Sequence, residues 1–582
     1  MKNQNSKMTM GTIDFNQLPA GEPRRFVPAG AHLSRKEDVL PLYESLLERE
    51  ISSQDQRETW LRDLSELEAA FDQAGSILYI EMTRQTDNQE RHEAYKRFLK
   101  TVVPEVKVLV DRLNRKYLEA LKHFPGGSPY YTLYNRVLES DIALFTEKNI
   151  SLETQLDLLS EKYQRVCAAM TVNFRNEEYT LAQMAKFLLE PDRNLRETAW
   201  QMTTERRLKD KDHLEEIFDQ MLQLRHQIAR NTGCSNFCEY QFRHYHRFDY
   251  TSADCKRYHE TVACLIIPLW NEILERRKSQ MGLPDLRPWD LAVDPWGRPP
   301  FQPFQELGEL IAGVARILQE TDDELSRHFA EMAALGLLDL ASRKGKAPGG
   351  YQHTLAEARK PFIFMNAAGL DHDVMTLLHE VGHAFHALKA ASQSLFSYRH
   401  GPMEFCEVAS MGMELMAGEH LGAFYNREDT QRSRISHLKD IVETLAWVAT
   451  IDCFQFWIYE NPTHTRPERK KAWQRIRRRF ASALVDWTGL EEEEAYLWHR
   501  QLHIFEAPFY YIEYGIAELG ALQLWLRYRQ DPSGTFKDYQ RALALGGSKN
   551  LPGLFETAGI QFDFSEQTIK PLMQAVREEI DL

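Results

Sequence analysis

Asp371-His372-Asp373-Val374-Met375-Thr376-Leu377-Leu378-His379-Glu380-Val381-Gly382-His383-Ala384-Phe385-His386 is an apolar stretch with two histidines a helical turn apart and an acid beside the first. The apolar residues around the histidines predict a buried helix, with Asp371 or Asp373 placed to cap its start. On a helix, residues four apart differ by about 40° and roughly 6 Å of rise, so His379 and His383 project from one face. Two imidazoles so placed can reach one tetrahedral Zn2+. Glu380 can reach a water at that ion without ligating it, the pattern of metal-assisted peptide hydrolysis. The competing reading is a core helix with satisfied histidines. His386 shares a face with His383 and reads as a structural or supporting group. A third histidine six residues past His383 is excluded, because Lys389 stands there.

A third ligand at a sensible place weakens the core-helix reading. Met403-Glu404-Phe405-Cys406-Glu407-Val408-Ala409-Ser410-Met411-Gly412-Met413-Glu414 is a second apolar helical stretch. A carboxylate in such a helix is costly to bury unless paired or bound to a metal. Glu404, Glu407 and Glu414 fall near one face and compete for the role. Glu407 is preferred, then Glu404, and Glu414 is suited to fixing a histidine tautomer.

The chain has 582 residues, enough for two or more lobes. Its 43% hydrophobic and 27% charged residues are those of a globular protein. A net charge of −14 argues against a nucleic-acid partner. The basic cluster at 475–479 reads as a solvated helix face or a wall contacting peptide carboxylates. Seven scattered cysteines suggest reduced thiols and an intracellular home. Cys234 and Cys238 have no second metal-binding pair at structural-zinc spacing. The start, Met1-Lys2-Asn3-Gln4, lacks an apolar signal core, and no run approaches the ~20 apolar residues that span a bilayer. The expectation is a cytoplasmic protein with no membrane partner.

Residues 1–35 read as an extended surface arm. From 38 to 122 the pattern is helical, with Leu61, Leu64, Leu67, Ala70 and Phe71 at three- and four-residue steps. Residues 171–177 read as a small β excursion. The aromatic-rich stretch 233–250 reads as packing between helices before a pocket wall. The proline-dense segment 282–303 breaks the helical run, with Trp289 and Trp296 suggesting a loop packed on the body. Residues 361–365 read as a strand. That strand either pairs with an extended peptide through 362–366 or lies inside a sheet.

Taken together, several segments resemble the thimet oligopeptidase and oligoendopeptidase F family. They are Gly349-Gly350-Tyr351 with the strand 361–366, Asp373-Val374 leading into His379–His383 and His386, Phe405-Cys406-Glu407-Val408-Ala409-Ser410, and His503 with Pro508-Phe509-Tyr510-Tyr511-Ile512-Glu513-Tyr514. The resemblance covers much of 345–520, and the flanking helical parts also fit. It implies a mainly α, two-lobed helical shell with a deep central channel and a small β-sheet near the metal site. It implies one Zn2+ per chain and hydrolysis of oligopeptides. The expected lobes are 1–200, with the N-terminal arm, and 201–582, with the metal. His503, Tyr510 and Tyr514 carry over as groups stabilising the tetrahedral intermediate, with the choice among Tyr510, Tyr511 and Tyr514 open. Gly350, Tyr351, Phe364, Asn366 and Tyr511 are the expected substrate contacts. Two rival functions are a zinc hydrolase of another amide and an inactive peptide-binding homologue.

Overall fold

Leucines at helical spacing with charges between them build the first part of the chain. The computed structural model describes residues 13–19, 21–343, 345–347 and 349–581. The expected arm, 1–35, lies partly outside these residues. The pattern over 38–122 becomes the helices Lys36–Glu48, Gln54–Arg84, Gln89–Arg97 and Val103–His123, with one π turn between the last two. Ser53 starts the long second helix by accepting from the Gln56 amide. Leu61, Leu64, Leu67 and Ala70 are buried along one face of it. Trp60 adds its indole N–H to the Leu46 carbonyl at 2.9 Å.

Helices dominate the described residues, and five short strands complete the inventory. β1 (Thr171–Phe174) and β2 (Glu177–Thr180) form an antiparallel hairpin. Its two turn residues, Arg175 and Asn176, both have positive φ, 54° and 67°, as a type I′ turn requires. β3 (Leu338–Ala341), β4 (Tyr351–Leu355) and β5 (Lys360–Ala367) form a sheet in the order β3-β5-β4. β5 pairs parallel with β3 and antiparallel with β4. The strand expected at 361–365 is therefore the central one. Both of its edges are occupied, so the outer edges of this sheet belong to β3 and β4, not to residues 362–366.

Two compact units emerge, each assembled from three segments. The first comprises Met1–Phe145, Gln302–Gln431 and Gly520–Phe562; the second comprises Thr146–Phe301, Arg432–Leu519 and Asp563–Leu582. The division expected at residue 200 falls inside the helix Arg193–Lys209, in the second unit. The three-stranded sheet and the helices Asp371–Ala390 and Met403–Ala417 belong to the first.

In the proline-dense segment, Trp289 is buried as expected but Trp296 is 63% exposed. Contrary to the expected absence of a run of span length, one described helix, Arg427–Glu460, is long and apolar enough to cross a membrane by length and composition. Its apolar window is 72% buried, as in a core helix.

Candidate metal centre and donor cluster

Asp373 fixes the start of the motif helix by accepting from the amides of Ala368 and Leu370 at 2.7 and 2.8 Å. The carboxylate thus satisfies orphan N–H groups ahead of the first turn. Gly382 then lets two helices touch. A Cβ there would lie 2.6 Å from both the Ala409 carbonyl oxygen and Ser410 Cα. Without a side chain at that point, the Asp371–Ala390 helix closes on the Met403–Ala417 helix, and Glu407 reaches the histidines.

Three donor atoms converge. His379 Nε2 and His383 Nε2 are 3.1 Å apart, and Glu407 Oε2 lies 3.5 and 3.6 Å from them. Donors bound to one ion at 2.0–2.1 Å in tetrahedral directions stand about 3.3 Å apart, so this spacing fits a single small cation. Ser410 Oγ donates to Glu407 Oε2 at 3.1 Å and steadies it. His379 Nδ1 donates to Glu414 Oε1 at 2.7 Å. In a neutral ring this leaves Nε2 with its lone pair turned toward His383 and Glu407, an arrangement that calls for a cation. Among the described residues this is the one group of this kind. Glu404, the second-choice ligand, is buried but outside it. His386 is also outside, packed edge-on to Phe405 with its ring against Gly401.

The electrostatics favour positive charge at the centre. Burial opposes a charged His379, yet Glu414, Glu407 and Glu380 outweigh it and lift its pKa to about 10. Burial, only partly offset by Glu407, pushes His383 down to about 4. Glu380 is buried, and its pKa rises to about 7 through burial and the neighbouring carboxylates. Its Oε2 is buried with no hydrogen-bond partner among the described residues. Such an atom costs free energy unless a ligand satisfies it.

The expected substrate contacts divide. Gly350 is exposed, and a Cβ on it would come within 3.6 Å of Glu380 Oε1. The backbone of Gln352, on β4, hydrogen-bonds to the same carboxylate. Tyr351 is half-buried, its hydroxyl 2.6 Å from Thr83 Oγ1 and its ring stacked on Phe364 at 4.6 Å. Phe364 is fully buried, so its side chain belongs to the sheet's packing, contrary to the expectation of a substrate contact. Asn366 donates to the carbonyls of Ala347 and Gly349, both at 2.9 Å, and so holds the Gly350 loop.

His503, Tyr510, Tyr511 and Tyr514 lie in the second unit. Their rings form one cluster, with His503 centroids 5.0–5.6 Å from the three tyrosines. The proton on His503 can be assigned. The Trp447 indole is a pure donor and gives its N–H to Gln501 Oε1 at 2.9 Å. Gln501 Nε2 therefore faces His503 Nδ1, at 2.8 Å, and donates to it. Nδ1 is the acceptor, and Nε2–H points to the Tyr514 hydroxyl, 3.3 Å away.

A support for this cluster was invisible in the sequence. Arg247 donates to the Phe509 carbonyl at 2.6 Å and to Glu513 Oε1 at 2.7 Å, with both charged side chains fully buried. The Phe509 amide donates to Gln455 Oε1 at 2.7 Å. Phe509 itself sits at φ +66°, in the left-handed region, a strained conformation that persists where surrounding contacts over-determine it. The aromatic stretch 233–250 serves as packing, as expected: Phe242, Tyr245 and Tyr250 surround the Arg247 guanidinium at 4.8–5.5 Å.

Two imidazoles and a carboxylate around a cation-sized centre, with a buried acid alongside, define a metallopeptidase. The model of peptidase family M3 matches residues 186–574, and the chain belongs to that family. It is 21% identical over 464 residues to an oligoendopeptidase F homolog of Borreliella burgdorferi, covering 75% of each chain. It is also 21% identical over 336 residues to oligopeptidase PepF of Bacillus subtilis, covering 54% of this chain and 47% of that one. Among solved structures, PZ peptidase A with an inhibitor superposes with a TM-score of 0.88 at 27% identity, covering 96% of this chain and 98% of the other. An oligoendopeptidase F structure superposes at 0.87 with 26% identity, covering 96% and 99%. The mainly helical fold and the oligopeptidase activity expected from the sequence agree with these findings.

Proposed function

We propose that the protein hydrolyses short peptides with one Zn2+ held by His379, His383 and Glu407 and with Glu380 as the general base. The observation that carries this reading is the convergence of the three donors beside a buried Glu380 carboxylate with an unpartnered oxygen. Two nitrogens and one oxygen suit Zn2+, and three protein ligands rather than four are the mark of a catalytic site. When bound, the ion supplies Lewis acidity, polarising a carbonyl and making water more acidic.

The chain's own residues do the rest. Glu380 Oε2 accepts the proton of the attacking water and returns it to the leaving amine. Its buried carboxylate, with one oxygen unpartnered among the described residues, is placed to take and give that proton. Glu414 holds His379 in the ligating tautomer. The outer edge of β4 is assigned to the peptide backbone, which leaves side chains loosely read and favours broad specificity. Gly350 leaves room beside Glu380. To His503, Tyr510 and Tyr514 we assign the donor role, because the N–H and O–H groups in their cluster suit an oxyanion. The scattered cysteines support a reducing, cytoplasmic setting.

Quenched fluorescent peptides of graded length, with metal content measured on the same sample, test the proposal. Cleavage by the zinc-loaded protein and its loss in Glu380→Gln with zinc retained are expected. Full activity in Glu380→Gln would remove the base assignment. Stoichiometric zinc with no peptide cleaved would favour hydrolysis of another amide or an inactive peptide-binding role.

A further inference from the structure

Lys346 is a buried lysine at the foot of the Gly350 loop. Its side chain is wholly shielded from solvent, and its ammonium meets four oxygens. It donates to the Asp339 carbonyl at 2.8 Å, to Asp339 Oδ1 at 3.1 Å, to the Ala341 carbonyl at 2.9 Å and to the Met365 carbonyl. The Phe364 ring centre lies 4.3 Å from Nζ. A buried ammonium is costly unless it is paired and hydrogen-bonded, and here acceptors surround every N–H. Asp339 does not depend on this lysine alone, since Arg84 and Arg343 donate to it at 2.6–2.8 Å.

Contacts between loop and sheet run in both directions. Lys346 reaches from the loop to the Met365 carbonyl on β5, and the next residue of that strand, Asn366, reaches back to the Ala347 and Gly349 carbonyls at 2.9 Å. The helix Gln54–Arg84 holds the same segment from a third side. Its Thr83 carbonyl, one of the last-turn acceptors that a helix leaves unsatisfied, takes the Ala347 amide at 2.8 Å. Thr83 Oγ1 lies 2.6 Å from the Tyr351 hydroxyl. Gly349 and Gly350, by contrast, are exposed. A Cβ on Gly349 would meet no described atom within 4 Å, and its φ is +91°. Glycine backbone without packing of its own is conformationally free and takes its place from its anchors. The second of these glycines is the one whose added Cβ would lie 3.6 Å from Glu380 Oε1. Loop, sheet, helix and Glu380 all belong to the first unit.

We propose that Lys346 is a positioning residue for the reaction. Together with Asn366 it latches the two glycines at a fixed distance from the Glu380 carboxylate, and it acts through the backbone it anchors rather than at the reacting atoms. The proposal rests on the reading of Glu380 as the base. The same bonds from Lys346 also join β3 to β5 near the point where their register shifts. A role confined to fastening the sheet therefore predicts a different pattern of loss.

Lys346→Met and Asn366→Ala, each in zinc-loaded full-length protein, test this. The first leaves Asp339 paired with its two arginines, and the second frees the loop without touching β3. Both are expected to lower kcat by on the order of tenfold to a hundredfold, the scale of a misplacement of about 1 Å, with KM and zinc content little changed. Hydrogen exchange, followed by mass spectrometry on the same samples, should quicken at the amides of 349–352. If Lys346→Met does not fold, Lys346→Gln, which retains two N–H donors, decides by the same measures. Unaltered kcat in the lysine variant would overturn the proposal. So would a lower urea midpoint with faster exchange confined to 338–341 and 360–367, since that is the sheet losing its fastening. If the wild type cleaves no peptide, the peptidase reading fails by itself, and exchange at 349–352 still decides whether Lys346 sets this segment.

Discussion

Glu414 Oε1 accepts from His379 Nδ1 at 2.7 Å, and this contact turns the opposite nitrogen, Nε2, toward His383 and Glu407. A carboxylate behind a ligating histidine sets its tautomer and raises its basicity. Glu414→Ala is expected to weaken metal affinity about 10–100-fold while leaving the fold intact. Competition with a chelator of known affinity measures the change, and circular dichroism checks the fold. Unchanged affinity would reduce Glu414 to a bystander.

A methyl group on Gly350 would meet the Glu380 carboxylate without crowding it. The nearest atoms to an added Cβ lie at 3.4–3.6 Å, which is ordinary contact. Gly350→Ala should therefore keep metal and stability, the latter within about 0.5 kcal/mol. The methyl would still cover the approach to Glu380, and kcat/KM should fall. Steady-state kinetics beside a urea melt checks both halves, and an unchanged kcat/KM would argue against a substrate path over Gly350.

Arg247 and Glu513 are a fully buried pair that also pins the strained Phe509. Removing one partner strands the other's charge, which costs about 3–5 kcal/mol. Glu513→Ala is expected to lose stability on that scale by urea titration. Arg247→Leu with Glu513→Leu together should recover much of it, because no charge is then left buried. If the pair also positions Tyr510, the double variant will be stable yet low in kcat.

His259 donates to buried Asp452 at 2.8 Å. Burial works against a charged ring, and the bonds to Asp452 and Cys453 outweigh it, raising the pKa to about 9. A folded pKa above the unfolded value of about 6.5 stabilises the protein below that value, and the gain is lost as pH rises through about 9. Wild-type stability should thus decline between pH 6.5 and 9 more steeply than that of His259→Asn. Urea midpoints for both proteins across that window give the difference, and parallel curves would contradict it.

Much of this site was legible because helix geometry is local. The spacing of His379 and His383 fixes their common face without reference to the rest of the chain. Choosing among Glu404, Glu407 and Glu414 was harder, since periodicity puts all three near one face and packing against Gly382 selects between them. That glycine inside an apolar helix was an available signal for close helix contact. The strand at 361–365 was visible, but its central place was not, because its partner β3 is four residues, Leu338–Ala341, at the end of a helical region. Arg247 stands in an aromatic-rich stretch, and nothing near it in sequence announces Glu513. Trp296 departs from the packed loop that its sequence suggests, because a tryptophan in a proline-rich loop packs inward or points outward according to neighbours remote in sequence.

Diffraction from crystals of the zinc-loaded protein, with anomalous scattering collected at the zinc edge, tests the central claim most directly. One strong peak per chain is expected, about 2.0–2.1 Å from His379 Nε2 and His383 Nε2 and at similar distance from a Glu407 oxygen, and the peak should vanish in His379→Ala. A zinc peak bound elsewhere, with these three side chains turned to separate surroundings, would contradict it.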